Sequence, residues 1–385
     1  MKILFVVFHF PPISGGGVVV IVDLANTLVK LGHQVTVITP DLEWQGEKFN
    51  PILNSSIKII KTKTPSASNL KIAARRCLPS IKQKVIETGK NEEFDFILTI
   101  FHPFHLVPKA AISAGKQLRL PVLIKIDDAI YEKSSGLKSI QRKIEKIYNT
   151  RTLKSASKLL VSNKETMDVV NQNYNIEKNK ISIISNGVDL SKFYRSKSKS
   201  KNIIFTGAMY HHRGLDVLLD AIPEIIKKHK DSRFILIGNG PEKQKLEKIT
   251  IEKKISEFVY FEEWIDREDI PKKLADSIIG IGPLRLTAVT KGALPIKVLE
   301  YMASSLPIIA QNGTLPADIL EDGRNGFFIK NAQELAEKIN HLLDNEDIRE
   351  SFGTKSKEMV KKFDWENIAN DIIKEFKNVI NSHNK

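Results

Sequence analysis

Residues 3–8 read ILFVVF, residues 14–17 read SGGG and residues 33–39 read HQVTVIT. The first run is continuously apolar, as in a parallel strand that is covered on both faces. After the glycines, apolar residues recur at helical spacing until Gly32 ends the segment. The order of strand, glycine loop, helix and strand predicts the start of a doubly wound parallel sheet.

Similar runs follow along the chain, separated mostly by stretches of helix length. Those of the first half lie at 57–61, 94–100, 122–126, 158–161 and 181–184, and those of the second at 202–207, 234–238, 258–261, 278–281, 307–310 and 326–329. We predict an α/β fold with two Rossmann-like doubly wound domains, residues 1–190 and 202–363, that face a central cleft. A lysine- and serine-rich linker at 191–201 joins them. An amphipathic helix at 364–385 is expected to pack toward the N-terminal domain.

Composition excludes several classes of protein. Of the 385 residues, 42% are hydrophobic and 27% are charged, and no uncharged apolar stretch reaches the ~18 residues that a membrane span requires. The single cysteine, Cys77, cannot form an internal disulfide, and the N-terminus lacks the cleavage site of a signal peptide. We therefore expect a cytoplasmic protein. Its net charge of +14 favours anionic partners, but the sequence contains no recognised nucleic-acid motif, so we do not expect it to bind nucleic acid.

The glycine loop is a candidate phosphate site. Gly15, Gly16 and Gly17 would let a ligand approach the backbone, and the N–H groups at the start of the helix would face a phosphate. The pattern is not GxGxxG, because residue 20 is valine, which disfavours a dinucleotide-dependent dehydrogenase. A tight turn without ligand binding is the alternative.

Residues 183–189 read IISNGVD and are followed by Phe193. This motif resembles the hinge of glycosyltransferase family 4, the retaining sugar transferases with the two-domain GT-B fold. Four further segments resemble the family in the same order along nearly the whole chain. They are FHFPPISGGGVVVIVDLANTLVKLGHQVTVITP at 8–40, TGAMYHHRGLDVLLDAIPEI at 206–225, PIKVLEYMASSLPIIA at 295–310 and ILEDGRNGFFI at 319–329.

The resemblance implies a nucleotide site at the segment 295–310. Glu300 would accept hydrogen bonds from the ribose hydroxyls of the donor, and Lys297 would face its diphosphate. The family's first glutamate, which contacts the donor sugar, is replaced here by Gly292. The donor pocket would then be completed by the backbone N–H groups of Gly292, Ala293 and Leu294, or by Lys291.

The segment from Gly207 to Gly214 departs from the family pattern as well. Its usual first arginine is Ala208, whereas Arg213 fills the second basic position. Because a leaving diphosphate needs more than one cation, we expect Arg213 and Lys297 to act together in catalysis. Arg285 is a further candidate, with an ordinary surface arginine as its alternative.

No cofactor or metal is expected besides the donor substrate. His211 and His212 lack an accompanying cluster of Asp, Glu or Cys, and the chain contains no DxD signature. We interpret them as loop histidines near phosphate.

Candidate acceptor residues lie in the first half. Asp127 and Asp128 follow the strand at 122–126, where family members place a residue that orients the acceptor hydroxyl or takes part in proton transfer. A pair of helix caps is the alternative. His102 and His105 follow the strand at 94–100 and could line the acceptor side, or serve only in the core or a loop.

Two basic amphipathic stretches, 68–90 and 133–158, could lie on an anionic membrane surface as a peripheral contact, or could simply be solvated helices.

The leading hypothesis is transfer of a sugar from a nucleotide diphosphate sugar to a saccharide or lipid-linked saccharide, with retention of the anomeric configuration, in surface polysaccharide or glycoconjugate synthesis. The alternatives are a nucleotide-sugar epimerase of the same fold and a non-catalytic binding subunit.

Overall fold

The computed structural model describes residues 1–13, 15–42, 49–64, 70–103, 106–127, 137–196, 200–287 and 290–383. The chain divides into two compact units. Unit 1 comprises Met1–Gly187 together with the residues from Trp365 onward, and unit 2 comprises Val188–Asp364. Each unit is built on its own parallel sheet.

Unit 1 contains a seven-stranded sheet in the order β3-β2-β1-β4-β5-β6-β7. The strands are β1 Lys2–Val6, β2 Gln34–Pro40, β3 Lys58–Thr62, β4 Phe96–Phe101, β5 Val122–Ile126, β6 Lys158–Val161 and β7 Ile181–Ile183. All neighbours are parallel, and Leu4 of β1 pairs with Thr36 of β2 and with Ile97 of β4. Strands β1, β4 and β5 are almost wholly buried because helices cover both faces.

The helices of unit 1 follow the pattern expected between parallel strands. They are α1 Gly16–Lys30, α2 Leu70–Arg76, α3 Leu78–Asn91, α4 Val107–Leu118, α5 Leu137–Lys154 and α6 Lys164–Tyr174, with the last helix of the chain, α13 Trp365–His383. Phe376 of α13 stacks on Phe96 of β4 with ring centroids 4.5 Å apart. The final helix therefore belongs to the first unit.

Unit 2 contains a six-stranded parallel sheet in the order β10-β9-β8-β11-β12-β13. Its strands are β8 Asn202–Thr206, β9 Arg233–Ile237, β10 Val259–Glu262, β11 Ile279–Gly282, β12 Ile308–Gln311 and β13 Gly326–Ile329. Its helices are α7 Leu215–Lys228, α8 Lys243–Glu252, α9 Ile270–Ala275, α10 Ile296–Ala303, α11 Ala332–Asp344 and α12 Glu346–Met359. Two apolar clusters, one on each side of the sheet, form its core.

The boundary between the units differs from the sequence prediction. Val188 and Phe193 are buried in a core cluster of unit 2, so the chain enters that unit before residue 191. Burial of these two apolar side chains outweighs the polar composition that follows them. Within the predicted linker, residues 197–199 lie outside the described residues.

Candidate functional site

The strand order of unit 2 creates a switch point between β8 and β11. From β8 the chain passes to β9 on one side, and β11 lies on the other. In open α/β sheets, ligands bind at the carboxyl ends of the strands beside such a point. The loop after β8 and the loop after β11 meet there, because Arg285 donates its backbone N–H to the carbonyl of His212 at 2.9 Å. Gly214 has φ 68°, and a Cβ there would lie 1.9 Å from the carbonyl oxygen of Pro283, so the close approach of the two loops requires glycine.

Lys297 extends from the first turn of α10 toward this edge. Its Nζ is buried 3.6 Å from the centroid of the Phe205 ring and has no hydrogen-bond partner among the residues that the structure describes. A Cβ at Gly207 would lie 2.9 Å from this nitrogen, so glycine at that position makes room for it. Burial and the neighbouring Arg213 hold the pKa of Lys297 well below its usual value, although Glu300 opposes the shift. A buried ammonium group of this kind favours an anionic ligand.

Two arginines lie on the loops that follow β8 and β11. The Nε atoms of Arg213 and Arg285 are buried without a hydrogen-bond partner in the described part of the chain. Burial lowers the pKa of the Arg213 guanidinium. Arg285 is half-buried and forms an ion pair with Asp216, so it is neither a free surface cation nor an unpaired one.

Glu300 lies one helical turn after Lys297 and is 5% exposed. Its Oε1 accepts a hydrogen bond from Nη1 of Arg267 at 2.9 Å. The next residue, Tyr301, accepts a hydrogen bond from the backbone N–H of Thr206 at 2.9 Å, which fixes α10 against the end of β8. Burial raises the pKa of the Tyr301 hydroxyl well above its usual value. Sequence reasoning missed Arg267, because its partner is 33 residues away and no local pattern connects them.

Fewer of the backbone N–H groups before α10 are free to bind a donor sugar than the sequence analysis predicted. Gly292 donates to the carbonyl of Gly313 and Ala293 donates to that of Thr290, each at 3.2 Å. These two N–H groups therefore already have acceptors within the chain. The remaining candidates, Leu294 and Lys291, are half-buried and exposed respectively.

Unit 1 has its own switch point, between β1 and β4. His9 follows β1 and His102 follows β4, and their rings meet edge to face with centroids 6.1 Å apart. Burial lowers the pKa of His9 to about 4, so this imidazole is neutral at physiological pH. Sequence reasoning selected His102 but missed His9, although both follow an apolar strand. The other candidate, His105, lies outside the described residues.

The strand beside β4 brings a carboxylate to the same edge. Asp127 follows β5, and its Oδ1 accepts a hydrogen bond at 2.7 Å from Nζ of Lys125, a lysine with no exposed surface. The lysine in the otherwise apolar run VLIKI was the signal for this pair, and sequence reasoning did not use it. Asp128 lies outside the described residues.

The glycine loop of unit 1 leads directly into α1, which begins at Gly16. Gly15, Gly16 and Gly17 are exposed. A Cβ built on any of them would meet no described atom within 4 Å, apart from its chain neighbours and the backbone of its own helix. The residues that the structure describes therefore leave space for a ligand around the first turn of this helix.

Helix α5 shows an inverted arrangement of polar and apolar side chains. Ile140, Ile144 and Ile147 are 50% or more exposed and lie on one face at helical spacing. Glu145 and Asn149 are buried instead, where Glu145 pairs with Arg75 and Asn149 donates to the carbonyl of Pro103. The exposed cations Lys143 and Arg151 flank the isoleucines. Within the described ranges, none of the helices is long and apolar enough to cross a membrane.

Comparison with known proteins agrees with this geometry. The profile of the group 1 glycosyl transferases matches residues 189–359, and that of glycosyltransferase family 4 matches residues 14–192. An alpha-monoglucosyldiacylglycerol synthase of Acholeplasma laidlawii is 23% identical over 372 residues, which cover 90% of this chain and 88% of the relative.

Solved structures show the same fold. Sucrose-phosphate synthase of Thermosynechococcus elongatus superposes with a TM-score of 0.77 at 17% identity, over 99% of both chains. HepE of Anabaena in complex with UDP superposes with a TM-score of 0.76 at 16% identity, over 98% of this chain and 100% of that one. The two family matches together span residues 14–359, and the chain belongs to the group 1 glycosyltransferases of family 4, with the two Rossmann-like domains of the GT-B fold.

Proposed function

We propose that the protein transfers a sugar, with retention of anomeric configuration, from a nucleoside diphosphate sugar to a hydroxyl of a saccharide or lipid-linked saccharide. The single observation that carries the donor assignment is the Lys297 ammonium. It is buried without a hydrogen-bond partner in the described chain, beside Arg213, at the carboxyl edge of unit 2. A diphosphate placed there would supply the missing negative charge. The complex of the similar HepE with UDP supports a nucleoside diphosphate as the ligand class.

In the proposed reaction, the bond between the anomeric carbon and the diphosphate oxygen breaks, and its electron pair goes to the diphosphate. A bond forms from the acceptor oxygen to the same carbon, and the acceptor proton leaves to a base or to the departing diphosphate. Arg213 and Lys297 would stabilise the charge that develops on the leaving group. We propose that these cations suffice without a metal ion.

We propose that the acceptor binds to unit 1. His9, His102 and Asp127 follow three adjacent strands of its sheet, and a neutral imidazole or a carboxylate can accept a hydrogen bond from a sugar hydroxyl. The relative from Acholeplasma laidlawii is an alpha-monoglucosyldiacylglycerol synthase, and this name supports an acceptor that carries a lipid.

A lipid-linked acceptor also gives α5 a role. We propose that its exposed isoleucines and flanking cations lie on an anionic membrane surface, because apolar burial and charge attraction then act together. The protein should sediment with vesicles that contain phosphatidylglycerol and not with pure phosphatidylcholine, and Ile144→Glu should abolish this. Equal sedimentation of the variant would contradict the proposal.

The donor proposal is tested with a panel of nucleoside diphosphate sugars, with and without EDTA. Thermal stabilisation and slow release of free nucleoside diphosphate are measured. We expect one donor to stabilise the protein and to be slowly hydrolysed in EDTA, and Lys297→Met to abolish both effects. Lys338→Met is the matched control, because Lys338 also lies over a phenylalanine ring, 4.5 Å from the centroid of Phe327, on α11.

The outcomes separate the alternatives. Conversion of a nucleotide sugar to an isomer without any acceptor would identify an epimerase. Binding of a nucleotide sugar without hydrolysis, and without transfer to any added saccharide or lipid-linked acceptor, would identify a non-catalytic subunit. Loss of hydrolysis in EDTA would overturn metal independence, and absence of binding under all conditions would overturn the donor site.

A further inference from the structure

The ion pair between Arg267 and Glu300 is unusually well shielded from water. The side chain of Glu300 is 7% exposed and that of Arg267 is 18% exposed, with Nη1 and Oε1 2.9 Å apart. Most other ion pairs described in this chain have at least one partner more than a third exposed. Shielded pairs cost desolvation energy and add little to stability, so their presence calls for another explanation.

The two partners come from opposite sides of the switch point. Arg267 lies in a short turn after β10, which is two strands from β8 on one side. Glu300 lies on α10, which follows β11 on the other side. The pair therefore connects the segment after β10 with helix α10, at the carboxyl edge of the sheet where ligands of such folds bind.

Glu300 also shares a helix face with the buried cation. It follows Lys297 by three residues, a spacing that places side chains on the same side of a helix. Glu300 is close enough to Lys297 to oppose the lowering of the lysine's pKa. A ligand that brings its phosphates to Lys297 would therefore bring its adjoining sugar toward Glu300.

We propose that Arg267 is a positioning residue that sets the ribose selectivity of the donor site. By binding Oε1, the guanidinium fixes the rotation of the Glu300 carboxylate, and the second oxygen, Oε2, accepts hydrogen bonds from the ribose hydroxyls. Arg267 then acts through Glu300 and does not need to contact the ligand. The consequence is selection of ribonucleoside over 2′-deoxyribonucleoside diphosphates. This inference rests on the proposed function, because it presupposes a nucleoside diphosphate at Lys297.

The test compares UDP, ADP and GDP with their 2′-deoxy counterparts by calorimetry on the full-length protein. We expect the wild type to bind its preferred ribonucleotide ~10 to 100 times more tightly than the deoxy form, since a hydrogen bond to a charged group is lost. Arg267→Met should weaken binding of the ribonucleotide about tenfold and that of the deoxynucleotide, which keeps only the 3′-hydroxyl, by less, so the ratio between the two falls. Arg267→Lys should restore part of the ratio.

Two control variants separate an effect on ribose binding from a general loss of stability. Arg324→Met removes an exposed ion pair with Glu321 in the same unit and should leave the ratio unchanged. Arg267→Met combined with Glu300→Gln removes the uncompensated carboxylate, so it should recover thermal stability without recovering the ratio. An unchanged ratio in Arg267→Met, or equal weakening of both nucleotides, would overturn the inference. If the wild type binds no nucleoside diphosphate at all, it is the donor proposal itself that fails.

Discussion

The carboxyl edges of the two sheets differ in how their positive charge is balanced. In unit 2, Lys297 and Arg213 present buried nitrogen atoms that have no hydrogen-bond partner in the described chain. In unit 1, the buried Lys125 is already paired with Asp127, and His9 is held neutral. The fold is the same, so the sheet does not decide the charge. Unit 2 retains uncompensated positive charge suited to a diphosphate, whereas unit 1 presents a compensated pair and a neutral ring suited to a hydroxyl.

The largest effect should come from breaking the compensated pair in unit 1. Asp127→Asn leaves the Lys125 ammonium without a carboxylate in a site with no exposed surface. Loss of one partner of a buried pair costs about 3–5 kcal/mol, and we expect about 2–3 kcal/mol here because Asp127 is 25% exposed. Urea unfolding of the ligand-free protein measures it.

The reciprocal variants test whether the pair is the cause. Lys125→Met should destabilise the protein less than Asp127→Asn does, because water reaches the remaining carboxylate. The double variant Lys125→Met/Asp127→Asn should recover most of the loss, since neither charge remains. If the two single losses simply add in the double variant, the pair does not explain the burial of Lys125.

At Lys297, removal of a charged group should raise the free energy of unfolding, whereas it lowers that free energy at Asp127. Its pKa is held below the usual 10.5, so between that lowered pKa and 10.5 the unfolded state binds more protons than the native state. Stability must then rise with pH across this window. Lys297→Met removes the buried charge, so the ligand-free protein should gain about 1–2 kcal/mol at pH 7 and lose this rise.

Chemical denaturation at pH 7, 8.5 and 10 measures the effect, with Lys338→Met as the control for removal of a lysine. A gain in stability together with loss of donor binding would show that the charge is retained for the ligand. A loss of stability in Lys297→Met would mean that the contact with Phe205 compensates the ammonium and that the contrast between the units is wrong.

Sequence reasoning found the architecture because apolar runs and glycine loops are local signals. All eleven strand-like runs after residue 39 have a strand at or within one or two residues of the predicted position. The site residues on α10 could also be predicted, since Glu300 and Lys297 belong to one contiguous sequence motif. The contacts that determine the chemistry of the site residues could not be predicted from the sequence. Arg267, His9 and the pairing of Lys125 depend on contacts between different elements, and the boundary at Val188 depends on which core accepts Phe193.

The smallest expected change in stability concerns glycine-to-alanine substitutions in the two glycine-containing loops. Gly214 is required by the fold, because it has φ 68° and a Cβ there would meet the carbonyl oxygen of Pro283 at 1.9 Å. Gly17 has neither constraint, since a Cβ there meets no described atom within 4 Å outside its chain neighbours and the backbone of its own helix. Gly17→Ala should therefore raise stability by about 0.5 kcal/mol through the better helix propensity of alanine, whereas Gly214→Ala should lower it.

Thermal unfolding of the two variants, followed by turnover with donor and acceptor, completes this comparison. We expect Gly17→Ala to be slightly more stable and yet several-fold slower, because a methyl group would fill space at the start of α1 that a bound substrate needs. A stable variant with full activity would show that these exposed glycines shape only a turn. In that case the glycine loop would have no part in phosphate binding, and, among the described residues of unit 1, His9, His102 and Asp127 would remain as the candidates for substrate contact.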